Sequence, residues 1–235
     1  MRKEPLHPRE CGEMVQASAG GDSSARSFPG MERDSGAPET SADEALRRLA
    51  AGNERFIRGD IHHTSFRKET LADLALGQHP YATILGCSDS RVPPELIFDA
   101  GLGELFVIRV AGNVLSPEIA GSLQYAGSHL KTPLFVVLGH EGCGAVIAAL
   151  KARRRGERQG SLIELLINSI LPGLPKFDPL LSPRERLAQA VESNVRWTIS
   201  QILETPEARA RLAERRMKLV GAIYEIESGQ VRFLN

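Results

Sequence analysis

The features that most strongly constrain the fold of this chain are two apolar runs, each of which ends in a glycine-containing turn. Residues 82–85 (Ala-Thr-Ile-Leu) lead into Gly86-Cys87, and residues 134–138 (Leu-Phe-Val-Val-Leu) lead into Gly139-His140. Short, continuous apolar runs of this kind are typical of parallel strands that are buried on both faces. In open α/β sheets, ligands bind beside the carboxyl ends of the strands. The sequence therefore predicts that both turns lie at one functional edge of a sheet.

Three metal-binding side chains follow these runs, namely Cys87, His140 and Cys143. Two thiolates and one imidazole suit zinc, although the ligand types alone leave copper and cobalt open. Structural zinc sites usually have four protein ligands, whereas three protein ligands leave one position for water or substrate. The only other cysteine among the 3 in the chain is Cys11, which lies in a polar N-terminal segment. The pattern therefore predicts an open, catalytic zinc site.

The same residues carry a resemblance to a known family. Residues 87–91 (Cys-Ser-Asp-Ser-Arg) and 139–144 (Gly-His-Glu-Gly-Cys-Gly) resemble the two signatures of the β-class carbonic anhydrases, and the resemblance extends from Ala45 to the C-terminus. It implies reversible hydration of carbon dioxide to bicarbonate and a proton by a zinc-bound hydroxide. It also implies one zinc ion per subunit.

Asp89 and Arg91 follow the predicted ligand Cys87 closely in the chain. A zinc ion bound by two thiolates has its formal charge cancelled, so it should acidify water less than a zinc ion bound by three imidazoles. An arginine can hold a carboxylate in a fixed orientation. We therefore expect both residues to be catalytic and to orient the attacking oxygen, with a salt bridge that only braces the loop as the alternative. In some members of the family, the corresponding aspartate occupies the fourth zinc position at low pH.

Three further residues match positions that form the substrate pocket in plant-type members of the family, namely Gln78, Phe106 and Tyr125. The resemblance implies that they bind substrate. On the residues alone, Phe106 is more often a core residue, Tyr125 a partly buried helix residue and Gln78 a turn residue. His129 lies four residues after Tyr125 on a predicted helix, so the two side chains should share one face. Because imidazole titrates near neutrality, His129 is a candidate catalytic proton shuttle, with an ordinary surface histidine as the alternative.

Alternation of strand and helix patterns predicts an α/β fold, with three layers (α/β/α) around a mostly parallel sheet and an antiparallel edge hairpin at the C-terminus. The expected strands are 81–86, 105–110, 134–138, 219–226 and 231–234. The expected helices are 44–56 (capped by Ser41 or Asp43), 66–76, a helix that restarts at 92–95, 117–131, 144–155, 161–171 and 184–204. The helix behind Cys143 should direct backbone N–H groups at the metal site.

Composition divides the chain into two parts. Residues 1–41 are rich in serine, glycine, proline and charged residues without any helical or strand period, which predicts a disordered tail. Residues 42–235 contain no clear linker, so we expect a single zinc-dependent domain. In the family, the N-terminal helix packs on a neighbouring subunit and the residue matching Gln78 reaches across the interface. The resemblance therefore implies a homodimer or a larger homo-oligomer.

Net charge, apolar run length and cysteine count give no sign of a nucleic-acid-binding, membrane-spanning or disulfide-bonded protein. The formal net charge is +0, so nothing points to nucleic acid or to an anionic membrane surface. No apolar run approaches the ~18 residues of a membrane-spanning helix. Two of the 3 cysteines are assigned to metal, which leaves no disulfide pair and favours a reducing, cytoplasmic compartment.

Two other functions remain open at this stage. The first is hydrolysis of carbon disulfide or carbonyl sulfide, which some relatives carry out on the same scaffold. The second is a non-catalytic zinc-binding scaffold protein. That function would require a fourth protein ligand for the zinc ion or the loss of the Asp89–Arg91 pair.

Overall fold

A five-stranded sheet organises the computed structural model, which describes residues 40–62, 71–72, 74–156 and 161–234. The strands are β1 (Ala82–Gly86), β2 (Leu105–Arg109), β3 (Leu134–His140), β4 (Lys218–Tyr224) and β5 (Val231–Leu234). The helices are α1 (Ala42–Arg58), α2 (Pro94–Ile97), α3 (Pro117–Ser128), α4 (Gly144–Arg155), α5 (Ile163–Ile170), α6 (Pro183–Glu204) and α7 (Pro206–Ala213). Short 3₁₀ turns cover Ala111–Asn113 and Leu171–Gly173.

The strand order in the sheet is β2-β1-β3-β4-β5. Strands β2, β1, β3 and β4 run parallel to one another, and β5 pairs antiparallel with β4. The predicted α/β fold with a mostly parallel sheet and a C-terminal antiparallel hairpin is therefore confirmed. The carboxyl ends of β1 and β3, where the predicted metal ligands lie, are adjacent at the centre of this sheet.

Helices cover both faces of the sheet, as the three-layer prediction requires. Neighbouring residues along a strand point to opposite faces, and accordingly Leu85 and Val137 pack in one apolar cluster while Ile84 and Val136 pack in the other. The first cluster includes side chains from α3 to α7, and the second includes side chains from α1 and α2. Strands buried on both faces explain why the runs are continuously apolar.

Helix α1 packs through one face on its own chain's sheet. The packing of this helix on a neighbouring subunit, which the resemblance implies, stays a prediction. Ser41 caps its first turn by accepting a hydrogen bond from the Glu44 N–H, at 3.1 Å. Ala45 and Leu49 are fully buried in the second cluster. The buried Asn53 amide donates to the carbonyls of Ile97 and Gly229, and its oxygen accepts from the Val231 N–H. These contacts tie α1 to α2 and to the C-terminal hairpin.

Several predicted boundaries differ from the structure. The helix predicted over 117–131 ends at Ser128, because Lys131 adopts a left-handed conformation with φ of 53° and turns the chain into β3. Helix α7 was not predicted, although Thr205 caps it and Pro206 occupies its first turn. Most of the helix predicted over 66–76 and nearly all of the predicted tail lie outside the described residues. The single-domain assignment stays a prediction. Within the described part of the chain, every helix is too short or too polar to traverse a bilayer.

Candidate metal centre

The parallel register of β1 and β3 brings the three predicted ligands together. Gly86 pairs with Leu138, so Cys87 follows β1 beside the last residue of β3, His140. Cys143 caps the N-terminus of α4 three residues later. Gly142 makes this short turn with φ of 67°, a conformation that favours glycine. The ligand atoms of the three residues all lie within 4.8 Å of one another.

The His140 ring is oriented as a metal ligand. Its side chain is 0% exposed, and Nδ1 lies 2.9 Å from the carbonyl oxygen of Glu141. Because a carbonyl only accepts hydrogen bonds, Nδ1 carries the proton and Nε2 presents its lone pair. Nε2 is buried and has no hydrogen-bond partner among the described residues. A buried polar atom without a partner is costly, and a metal ion between His140 and the two cysteines would satisfy it.

The two thiols are buried beside each other, with Cys143 1% and Cys87 5% exposed. The pKa of the Cys87 thiol is lowered, chiefly by the hydrogen bond with Cys143 and further by His140 and the Gly112 N–H, against the cost of burial. Contact with Cys87 and burial raise the pKa of the Cys143 thiol, whereas the N–H groups of Val146 and Ala145 act in the opposite direction. The start of α4 thus favours thiolate charge, and a divalent cation would compensate the charge of both thiolates.

Asp89 and Arg91 form the predicted pair beside these donors. Asp89 Oδ1 accepts hydrogen bonds from Nε and the backbone N–H of Arg91, and Oδ2 accepts from Nη2 at 2.8 Å. Hydrogen bonding to the Arg91 side chain holds the pKa of the Asp89 carboxyl well below its usual range. Asp89 Oδ2 lies 3.9 Å from His140 Nε2. The carboxylate therefore faces the metal position while Arg91 fixes its orientation.

The donor cluster contains three residues and no fourth. Across the described ranges, no further His, Cys, Asp or Glu joins Cys87, His140 and Cys143 within ligand distance, and Asp89 is held outside the cluster by Arg91. A non-catalytic zinc scaffold would require a fourth protein ligand or the loss of the Asp89–Arg91 pair. Among the described residues no fourth ligand joins the cluster, and the pair is present.

Arg109 is a residue that sequence reasoning missed. It ends β2, pairs with Gly86 across the sheet, and donates from Nε to the Cys87 carbonyl at 2.9 Å. Its Nη2 donates to the Asp89 carbonyl at 2.6 Å. The only sequence signal was a single charged residue near the end of an apolar run. Arg109 holds the backbone of the loop that carries both a ligand and the carboxylate.

Two of the predicted pocket residues, Phe106 and Tyr125, lie together with His129, but at a distance from the donors. The rings of Phe106 and Tyr125 are 6.0 Å apart, and those of Tyr125 and His129 are 5.1 Å apart. Phe106 pairs with Thr83, four residues before Cys87, which corresponds to about 13 Å along a strand. Gln78 is exposed and precedes β1. Within one chain the side chains of Phe106, Tyr125 and His129 therefore form a row from the edge strand β2 to the end of α3, separate from the predicted metal ligands.

Comparison with known sequences gives one consistent result. The profile of the carbonic anhydrase family matches residues 82–231. Carbonic anhydrase 2 of Mycobacterium tuberculosis is 39% identical over 197 residues, which cover 82% of this chain and 93% of that protein. A carbonic anhydrase of Mycolicibacterium smegmatis is 37% identical and covers 83% of this chain and 94% of its own length.

Solved structures show the same similarity. The β-carbonic anhydrase CcaA superimposes with a TM-score of 0.65 at 29% identity, covering 81% of this chain and 87% of that protein. A tetrameric β-carbonic anhydrase of Sordaria macrospora also superimposes with a TM-score of 0.65, at 26% identity, covering 81% of this chain and 96% of that protein.

Removing the Arg109 side chain should make the loop that carries Cys87 and Asp89 (the metal loop) more mobile. In an Arg109→Leu variant the carbonyls of Cys87 and Asp89 lose their donors, so we expect bound metal to pass to an excess of chelator about tenfold faster than in the wild type. The rate is measured optically with a chromogenic chelator.

Arg153→Leu is the matched control for this variant. Arg153 also donates to two backbone carbonyls, those of Leu174 and Pro175, but in the link between α5 and α6. Its loss should leave the rate of metal release unchanged. Equal release rates in the wild type and the Arg109→Leu variant would contradict the role of Arg109.

Proposed function

This chain belongs to the β-class carbonic anhydrase family, and we propose that it hydrates carbon dioxide reversibly with one zinc ion held by Cys87, His140 and Cys143. The observation that carries the proposal is the unpartnered, buried Nε2 of His140, which faces two buried thiols. Two cysteines and one histidine are an established ligand set for catalytic zinc, in which the fourth position stays open. When bound, zinc supplies a nucleophile at neutral pH by lowering the pKa of the water that it coordinates.

Asp89 is proposed to orient the attacking group. The pKa of its carboxyl is lowered by Arg91, so Asp89 stays ionised and only accepts hydrogen bonds. Its Oδ2 lies 3.9 Å from His140 Nε2, beside the metal position. A hydroxyl group at this place would donate a hydrogen bond to Oδ2, which would orient its lone pair towards carbon dioxide. Arg91 is proposed to fix the carboxylate through its two guanidinium hydrogen bonds.

Gln78, Phe106 and Tyr125 are proposed to form the substrate pocket between two subunits. Phe106 lies near the start of β2, and Arg109 ends β2 beside the metal loop. Strand β2 is an edge of the sheet. If two such edges meet about a two-fold axis perpendicular to the strands, the two β2 strands run antiparallel. That arrangement would place Phe106 of a second copy near the metal ligands of this chain, which one chain alone does not achieve.

His129 is proposed to carry protons between this pocket and solvent. It follows the last residue of α3, its side chain is exposed, and its ring contacts that of Tyr125. Each hydration event releases a proton, which must leave the site before the next one. An imidazole at the exposed end of this aromatic row is well placed to accept it.

Conditions that keep thiols reduced are required for this site. Cys87 and Cys143 lie within ligand distance of each other and are free. Oxidation to a disulfide would remove both thiolates from the ligand set. We therefore propose that the protein functions in the cytoplasm, where thiols are kept reduced.

A homodimer or a larger homo-oligomer should be the active species. Analytical ultracentrifugation combined with activity measurements over a dilution series should show activity per chain falling as the oligomer dissociates, because the pocket then loses residues of the second copy. A monomer that retains full activity would contradict the shared pocket.

Substitution of Asp89 should slow catalysis without releasing zinc. In Asp89→Asn the acceptor is replaced by an amide, so we expect carbon dioxide hydration in a stopped-flow assay to fall about 10²–10⁴-fold at neutral pH. Asp178→Asn, an exposed aspartate in the α5–α6 link, is the matched control. If carbon dioxide hydration is as fast in Asp89→Asn and in Arg91→Lys as in the wild type, the pair only stabilises the loop and the proposed catalytic role is wrong.

His129→Ala should slow turnover only where buffer is scarce. We expect a severalfold fall in the hydration rate in dilute buffer and recovery in concentrated imidazole, because exogenous imidazole replaces the lost proton acceptor. His62→Ala removes another exposed histidine and should have no such effect. A loss that imidazole does not restore would exclude the shuttle.

A further inference from the structure

Helix α6 carries two polar residues on the face that it buries. Asn194 and Thr198 are each 1% exposed and lie one helical turn apart, among the buried Val191, Val195 and Ile202. A buried threonine in a helix commonly bonds to a carbonyl of its own helix. Thr198 instead donates its hydroxyl to the carbonyl of Asn113, at 3.1 Å. Asn194 Nδ2 donates to the carbonyl of Gly112, at 2.8 Å.

Both bonds end on the 3₁₀ turn Ala111–Asn113, which touches a predicted metal ligand. The Gly112 N–H donates to Cys87 Sγ, at 3.3 Å in the buried interior. Gly112 has φ of 74°, and a Cβ there would lie 2.9 Å from Ile170 Cδ1 and 3.0 Å from Ala145 Cβ. The turn is therefore confined by packing on one side and by two hydrogen bonds from α6 on the other.

We propose that Asn194 and Thr198 are positioning residues that hold the Gly112 N–H against the Cys87 sulfur and thereby tune the metal bound there. A hydrogen bond to a thiolate withdraws electron density from sulfur, so the thiolate donates less charge and the metal becomes a stronger Lewis acid. Anchoring the two carbonyls that follow the Gly112 N–H restricts rotation of the turn. Two side chains of α6 are thus connected to the predicted metal ligand Cys87 through the backbone of this turn.

The inference rests on the proposed metal site and extends it to residues that contact neither metal nor substrate. Asn194 and Thr198 lie behind the turn, and their bonds are made to carbonyls rather than to sulfur. Their loss should leave all three ligands in place. What should change is the electron density on sulfur and the affinity for metal.

The test uses Co(II) in place of zinc, because thiolate-to-cobalt charge-transfer absorption reports directly on sulfur. In Thr198→Val and Asn194→Leu we expect this band to move to lower energy, since a thiolate without its hydrogen bond gives up electrons more easily. Without these bonds the turn no longer fixes the position of the Cys87 sulfur, and loss of groups that orient a ligand typically costs 10–100-fold in metal affinity. Co(II) affinity in competition with a chelator should therefore fall about tenfold, although the sulfur becomes the stronger donor. Thr198→Ser keeps the hydroxyl, so its band energy and its Co(II) affinity should match those of the wild type.

Thr132→Val is the matched control for a purely structural effect. Thr132 is a buried threonine whose hydroxyl also donates to a backbone carbonyl, that of Ala126, but it precedes β3 at the opposite end of the sheet from His140. It should leave the band and the affinity unchanged even if stability falls.

Three results would overturn the inference or its premise, and they are distinguishable. A wild-type band and affinity in Thr198→Val would refute the positioning role, and a band shift in Thr132→Val would show a general loss of structure instead. If Asn194→Leu does not fold, the Thr198→Val and Thr198→Ser pair decides the question alone. Failure of the wild-type chain to give any thiolate-to-cobalt band would instead refute the proposed metal site.

Discussion

The parallel pairing of β1 with β3 is the interaction on which the rest of the structure depends. It aligns Gly86 with Leu138, so that Cys87 and His140 leave the sheet side by side. A slip of one residue would turn every side chain of one strand to the opposite face. Helices bury both faces, and the apolar side chains on each face therefore hold the register. The position of the metal ligands is in this sense a consequence of core packing.

Contacts from three directions hold the donor residues in place. Arg109 holds the carbonyls of Cys87 and Asp89, the start of α4 lies against Cys143, and the turn at Gly112 donates to the Cys87 sulfur. Each contact either fixes the loop or offsets negative charge on sulfur. The three ligands consequently stay close together although two of them are potential thiolates. Arg91 holds the Asp89 carboxylate in a fixed orientation beside the three donors, as the proposed role of this pair requires.

Much of this arrangement could be predicted from sequence because local patterns determine it. Continuous apolar runs identified the buried strands, and the residues directly after them included Cys87, His140 and the Asp89–Arg91 pair. Contacts between segments that are distant in the chain could not be predicted from the sequence. Asn194 and Thr198 interrupt an apolar helix face, but nothing in the sequence shows which carbonyls, 82 and 85 residues away, accept their hydrogen bonds. For the same reason, the hydrogen-bond partners of Asn53 could not be identified from the sequence, and Arg109 looked like an ordinary strand end.

We propose that this chain hydrates carbon dioxide through a single zinc ion at Cys87, His140 and Cys143. The most direct test is a titration of zinc-stripped protein with Zn²⁺, with stopped-flow hydration and bound metal measured at each point. Activity should rise in proportion to bound zinc and level off at one ion per chain, and Cys143→Ser protein should neither bind zinc tightly nor regain activity. Full hydration activity in the stripped protein, or equal zinc binding and activity in Cys143→Ser, would contradict the account.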